Sequence, residues 1–300
     1  MSEPLAIDGF RSASIEVDGV RLHYRLGGDP SGKPVLLWHG FLATSYVWHA
    51  VAPVLAAAGL AVLIPDMRGF GDSDKPGGVE GYDGIALAEE FRALVERIGF
   101  GNGQPLTLVA HDMGAPPALL WAAHHRDEVA GLLYIDEPPM LGDVMQGILS
   151  YTPQSMQKGS LWWWITALAP EMPERFFVGR EREFLTWFYR LTTVPGVISE
   201  ATVNEYLRTF SGIEGVLGAM GVYRAAFTTI AQTEPLEHDK IRVPVVAIGG
   251  ADSMGLGVAG WLGRVAETVE GRSIEGSGHF VPEERPLELA AAIIDAVGRH

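Results

Sequence analysis

Apolar and polar residues alternate through positions 14–17 and 20–25, on either side of Asp18-Gly19. A two-residue period broken by Asp-Gly predicts a β-hairpin. Short apolar runs follow at 35–38, 61–64, 106–110 and 131–135, each the length of a buried strand. Between them the period lengthens. Positions 48–58 (closed by Gly59), 85–98 (closed by Gly99) and 113–125 read as helices. Strands alternating with helices imply an α/β fold with a mostly parallel, doubly wound sheet and helices on both faces.

The rhythm stops near Glu137 and returns near Glu237. No strand pattern stands between, and aromatics such as Trp162, Trp163, Trp164, Trp187 and Phe188 are frequent. Helices are expected there at 160–168, 180–191, 199–210 and 213–231. The alternation resumes with a strand at 243–248, a helix near 258–269, a strand at 272–274 and a helix near 286–297. The expected organisation is a core of residues 1–136 and 238–300, with an all-helical cap of residues 137–237.

Composition narrows the function. A content of 47% hydrophobic residues in 300 supports a sizeable core. The formal charge of −15 argues against nucleic acid and anionic membrane as partners. The absence of cysteine excludes disulfides and thiol catalysis. No apolar segment is long enough for a bilayer, and no basic-then-apolar leader opens the chain, so a cytoplasmic location is expected. The histidines are scattered, so no metal and no cofactor are expected. The expected partners are a small apolar organic substrate and water, with a homodimer left open.

Asp112 carries the chemistry. It stands in Val109-Ala110-His111-Asp112-Met113-Gly114-Ala115, with small residues two before and two after. That spacing marks a strand-to-helix elbow, which pushes one side chain into a cleft. Such elbows usually hold serine. An aspartate suits attack on saturated carbon and forms an alkyl ester. The plainer alternative, a helix N-cap, explains neither the small residues nor the upstream His39-Gly40. His279 follows the last strand, in Glu275-Gly276-Ser277-Gly278-His279-Phe280, and completes the chain order of a hydrolase triad. Its expected role is to activate water against the ester. Asp136 and Asp252 each follow a sheet strand, and either could orient His279. The backbone N–H groups of Phe41 and Met113 are expected to hold the other oxygen of Asp112. His39 reads as structural.

These residues resemble the epoxide hydrolase and dehalogenase branch of the α/β-hydrolases. The resemblance rests on His39-Gly40-Phe41, on Asp66-Met67-Arg68-Gly69-Phe70-Gly71-Asp72-Ser73-Asp74, on His111 to Ala115 and on Gly278 to Glu284. It runs from about residue 17 to 286. It implies that Tyr223, in Gly221-Val222-Tyr223-Arg224-Ala225, donates a proton or hydrogen bond to the opening epoxide oxygen. It also favours Asp136 as the triad acid, although other members place the acid where Asp252 stands.

Three positions depart from the pattern. Leu42 stands where proline is common, and Met113 where tryptophan is. Trp162 and Trp163 stand where a first ring-opening tyrosine or histidine is found. An indole N–H can hydrogen-bond to an oxygen or a halide, but does not readily release its proton. Fluoroacetate dehalogenases are similar too, but their two carboxylate-binding arginines are replaced here by Met113 and Pro116. The expected activity is opening of an apolar epoxide to a diol. The alternatives are a haloalkane-type dehalogenase on the same route and a non-catalytic ligand receptor. A serine-type esterase is disfavoured because no serine occupies the elbow.

Overall fold

The structure is a computed structural model and describes residues 3–150, 152–153, 164 and 167–299. The hairpin pairs β1 (Phe10–Val17) with β2 (Val20–Gly28). Its turn residues Asp18 and Gly19 have φ of 49° and 85°, the paired positive angles that suit an Asp-Gly hairpin. Six further strands follow: β3 (Pro34–Trp38), β4 (Ala61–Pro65), β5 (Leu106–His111), β6 (Val129–Ile135), β7 (Val245–Gly250) and β8 (Val269–Ile274). They form one sheet in the order β1-β2-β4-β3-β5-β6-β7-β8. β1, β2 and β4 pair antiparallel, and every other pairing is parallel. All residues of β3, β4, β5 and β7 are buried, as strands covered on both faces require.

The helices of this core are α1 (Ala52–Ala57), α2 (Gly84–Ile98) and α3 (Ala115–His124) before β6. Asp83 caps α2 by accepting the N–H of Ala86, and Gly99 ends it at φ 65°. Position 48 does not begin a helix that runs to 58. A 3₁₀ turn covers Ser45–Trp48, and α1 starts at Ala52 with Pro53 in its first turn, where a missing N–H costs nothing.

Between β6 and β7 the described residues contain no strand, and their helices include α4 (Gly142–Leu149), α5 (Met172–Phe176), α6 (Glu181–Thr192), α7 (Glu200–Phe210), α8 (Gly212–Arg224) and α9 (Ala226–Thr233), then a 3₁₀ turn. α4 and α5 were not legible as helices in the sequence. The expected single helix over 213–231 is two, one ending at Arg224 and the next starting at Ala226, with Ala225 between them at φ −87° and ψ 0°. No proline or glycine marks the junction at positions 224–226. The expected helix at 160–168 falls largely outside the described residues. After β7 come α10 (Gly257–Leu262), shorter than expected, α11 (Val281–Glu284) and α12 (Pro286–Gly298). α2 packs on α3, and α1 packs on α12. Among the described residues no helix is long and apolar enough to cross a membrane.

A buried polar network ties the hairpin to the loop after β4. Asp66 accepts His23 Nδ1 at 2.7 Å and the N–H of Ser45 and Asp72 at 2.5 and 3.0 Å. His23, Asp66 and Asp72 also gather metal-ligand-type atoms. The two carboxylates are already engaged, Asp66 by these bonds and Asp72 by Arg208 of α7, which grips it with two bonds of 2.7 and 2.6 Å. The group therefore reads as structural bracing.

Candidate active site

The parallel strands β3, β5, β6 and β7 are neighbours, so the loops after them meet at one edge of the sheet. Ligands of open α/β sheets bind at these carboxyl ends. Asp112 follows β5 directly, with φ of 51°. A positive φ on a residue with a Cβ stores on the order of 1–3 kcal/mol of strain. The surroundings enforce it. A Cβ on Gly40 would stand 2.3 Å from Asp112 Oδ1, and one on Gly114 would stand 2.3 Å from the His39 carbonyl. Only glycines let the β3 loop lie this close to the elbow.

Asp112 is 6% exposed. Its Oδ1 accepts the Phe41 N–H at 2.5 Å, and its Oδ2 lies 2.9 Å from His279 Nε2. Burial opposes its charge, but the His279 bond, the charge of that ring and the Met113 N–H outweigh it and hold the carboxyl below its ordinary value. The two N–H groups expected from the sequence therefore both act on Asp112.

On the far side of the ring, His279 Nδ1 lies 2.8 Å from Asp136 Oδ2. Asp136 is fully buried and has φ of 48°. It accepts three more bonds: the Gly250 N–H at 2.9 Å, the Ser253 hydroxyl at 2.7 Å and the Met254 N–H at 3.3 Å. Burial lowers the proton affinity of His279, yet its bonds to Asp112 and Asp136 raise it well above the usual value. Asp252 is exposed, and its N–H is spent on the Ser277 carbonyl at 2.9 Å. The structure brings Asp136, not Asp252, to the imidazole.

The loop bearing His279 is fixed from below. His111 Nε2 donates to the His279 carbonyl at 2.8 Å. Burial, and then the charge of His279, lower the His111 pKa to about 4, so it is a neutral strut. His39 has a structural place: its Nε2 accepts the Met67 N–H at 3.0 Å, which ties the two loops.

Tyr223, on α8, is buried, and its ring meets Phe41 edge-on at 4.7 Å between centroids. Trp164 packs on Tyr223 at 4.9 Å. Trp162 and Trp163 lie outside the described residues. Leu42 has φ of 53°. Proline, held near −65°, cannot take that angle, which accounts for this departure from the family text. The Tyr189 hydroxyl of α6 donates to the Leu42 carbonyl and so braces the loop that carries the Phe41 N–H. Sequence reading missed His111, Tyr189 and Ser253. Each acts across the fold on a backbone or side chain far away in sequence, and no local pattern marks that.

Comparisons with known proteins agree with this architecture. Residues 33–159 match the family model for the alpha/beta hydrolase fold. The chain is 32% identical over 277 residues to a soluble epoxide hydrolase of Corynebacterium sp. (strain C12), covering 90% of this chain and 91% of that one. It is 34% identical over 130 residues to a haloalkane dehalogenase of Mycobacterium marinum (strain ATCC BAA-535 / M), covering 43% of each. Among solved structures, Cfl2 from Burkholderia cenocepacia superposes with a TM-score of 0.86 at 35% identity, over 96% of this chain and 95% of that one. Relatedness over nearly the whole length, on this sheet order, means that the chain is a hydrolase and belongs to the α/β-hydrolase family, in its epoxide hydrolase and dehalogenase branch.

Proposed function

We propose that this protein opens an apolar epoxide to a diol through an ester on Asp112. The observation that carries the reading is the line of contacts from Asp136 through His279 to Asp112, with the Phe41 N–H on the outer oxygen of Asp112. An ionised, aimed carboxylate needs no base, so it can attack carbon directly. Tyr223 stabilises the oxygen released, with the tryptophans at 162 and 163 assigned to substrate binding.

The electrostatics suit the second step. Two carboxylates hold the His279 proton in the resting site. Esterification removes the charge of Asp112, so the imidazole loses one of its two anionic partners and its pKa falls. It can then take a proton from water, which attacks the ester while the Phe41 and Met113 N–H groups hold the oxyanion. Asp136 keeps the ring oriented. Residues 137–237 serve as a lid over the core of residues 1–136 and 238–300, and their buried aromatic side chains suit an apolar substrate.

The relative named as a haloalkane dehalogenase makes halide displacement the second reading. Incubation with epoxides and with haloalkanes separates the two: diol without halide supports the first, and halide release supports the second. Single turnover in ¹⁸O-labelled water tests the shared step. Label is expected in the Asp112 carboxylate before it reaches product. An unlabelled Asp112 after many turnovers overturns the ester mechanism.

A further inference from the structure

Glu284 is a buried side chain that the reaction above does not use. It ends α11 and is 6% exposed. Its Oε2 accepts two backbone N–H groups, from Gly278 at 2.9 Å and from Val194 at 2.7 Å. The first lies directly before His279. The second lies 90 residues away in sequence, just after α6. Its Oε1 is buried and has no hydrogen-bond partner among the described residues.

The same two segments meet at a third point. The His279 N–H donates to the carbonyl of Thr192, the last residue of α6, at 2.7 Å. Their approach is close: a Cβ on Gly278 would stand 2.5 Å from that carbonyl oxygen and 3.2 Å from Thr193 Cα. Glu284 also brackets His279 within its own turn. Its N–H donates to the Phe280 carbonyl at 2.9 Å, while its side chain reaches back to Gly278. One residue thus holds both flanks of His279 and ties them to α6. That helix reaches the loop of the Phe41 N–H as well. Tyr189 bonds the Leu42 carbonyl, and the Phe188 ring meets Phe41 and Phe280 edge-on at 5.9 and 6.1 Å.

We propose that Glu284 is a positioning residue that clasps the end of α6 to the histidine loop, so that the segment between β6 and β7 sets the place of His279. The role rests on the ester mechanism above and acts on its second step. Asp112 attacks carbon without help from the imidazole, so ester formation does not need the clasp. Ester hydrolysis does, because His279 must face water while it keeps its bond to Asp136. A displacement of about 1 Å in such a group costs on the order of 100-fold in rate.

Quenched flow with intact mass resolves the two steps, with styrene oxide as the probe. Glu284→Ala is expected to form the Asp112 adduct within about threefold of the wild-type rate and to hydrolyse it about 100-fold more slowly. Val194→Pro reaches the clasp from the other side by removing its N–H. Thr193 before it already has the extended backbone, φ −120° and ψ 162°, that a following proline demands. This variant keeps the Gly278 bond, so hydrolysis should slow by about tenfold with formation unchanged. Glu284→Gln keeps an acceptor oxygen for both N–H groups and sets its amide nitrogen where Oε1 bonds nothing, so hydrolysis should return to within about threefold of wild type. Wild-type hydrolysis in Glu284→Ala or Val194→Pro, both steps falling together, or Glu284→Gln as slow as Glu284→Ala would overturn the role while leaving the ester mechanism standing. No adduct with His279→Gln would overturn the mechanism, and this role with it.

Discussion

Replacing Asp136 with asparagine tests the assignment of the triad acid. The substitution keeps size and shape, but leaves one acceptor oxygen where there were two. Oδ1 now accepts the Gly250 and Met254 N–H groups, and Oδ2 faces His279 and Ser253. If the amide oxygen turned toward His279, the NH₂ group would face the buried Gly250 N–H and the part-buried Met254 N–H and leave both unpaired. An unpaired buried donor costs about 1–3 kcal/mol, so the opposite orientation wins by at least that much. In that orientation the NH₂ donates to His279 Nδ1 and forces the ring proton onto Nε2, the nitrogen that must accept a proton from water. A wrong tautomer of this kind costs a triad about 10⁴ in rate. Attack by Asp112 does not need the imidazole as a base, so the ester should still form. Quenched-flow kinetics with intact mass should show one adduct per chain, then a steady state slowed by about 10³–10⁴. Turnover within tenfold of wild type, or no accumulated adduct, would refute the reasoning.

Three further outcomes are expected. Asp112→Asn removes the same charge that esterification removes, so ring ¹⁵N NMR should show His279 losing its proton at lower pH than in wild type; an unchanged midpoint sinks the electrostatic account of the second step. Arg208 bridges Asp72 and Glu205, the latter 4% exposed, so Arg208→Met should destabilise the protein by about 3–5 kcal/mol in urea unfolding, and a loss under about 1 kcal/mol would contradict this. Glu283 is raised to about 7 from 4.5, chiefly by burial, with the Tyr206 hydroxyl 2.5 Å from it pulling the other way. Its folded-state pKa exceeds the unfolded one, so its contribution is full below about pH 4.5 and is lost as pH rises through about 7. Glu283→Gln should therefore gain about 3 kcal/mol relative to wild type between pH 4.5 and 8, and a constant difference across that range would count against it.

Much of the fold was legible because its signals are local. The Asp18-Gly19 turn, the buried runs of β3 to β6 and the stop at Gly99 are set by neighbours within a few residues. The elbow was legible for the same reason, since small residues at 110 and 114 and a carboxylate at 112 form one short text. Helix bounds between β6 and β7 were less legible. Neither proline nor glycine stands at positions 224–226, so the sequence could not locate the break at Ala225.

The chain alone thus determined the strand-and-helix order, the carboxylate at the elbow and the histidine after the last strand. It could not choose between Asp136 and Asp252, because both follow strands and both sit in turn-like sequence. Only the assembled sheet chose. It sets β6 beside β7, so that the Gly250 and Met254 N–H groups and the Ser253 hydroxyl converge on Asp136 and aim it at His279, while Asp252 is left in solvent.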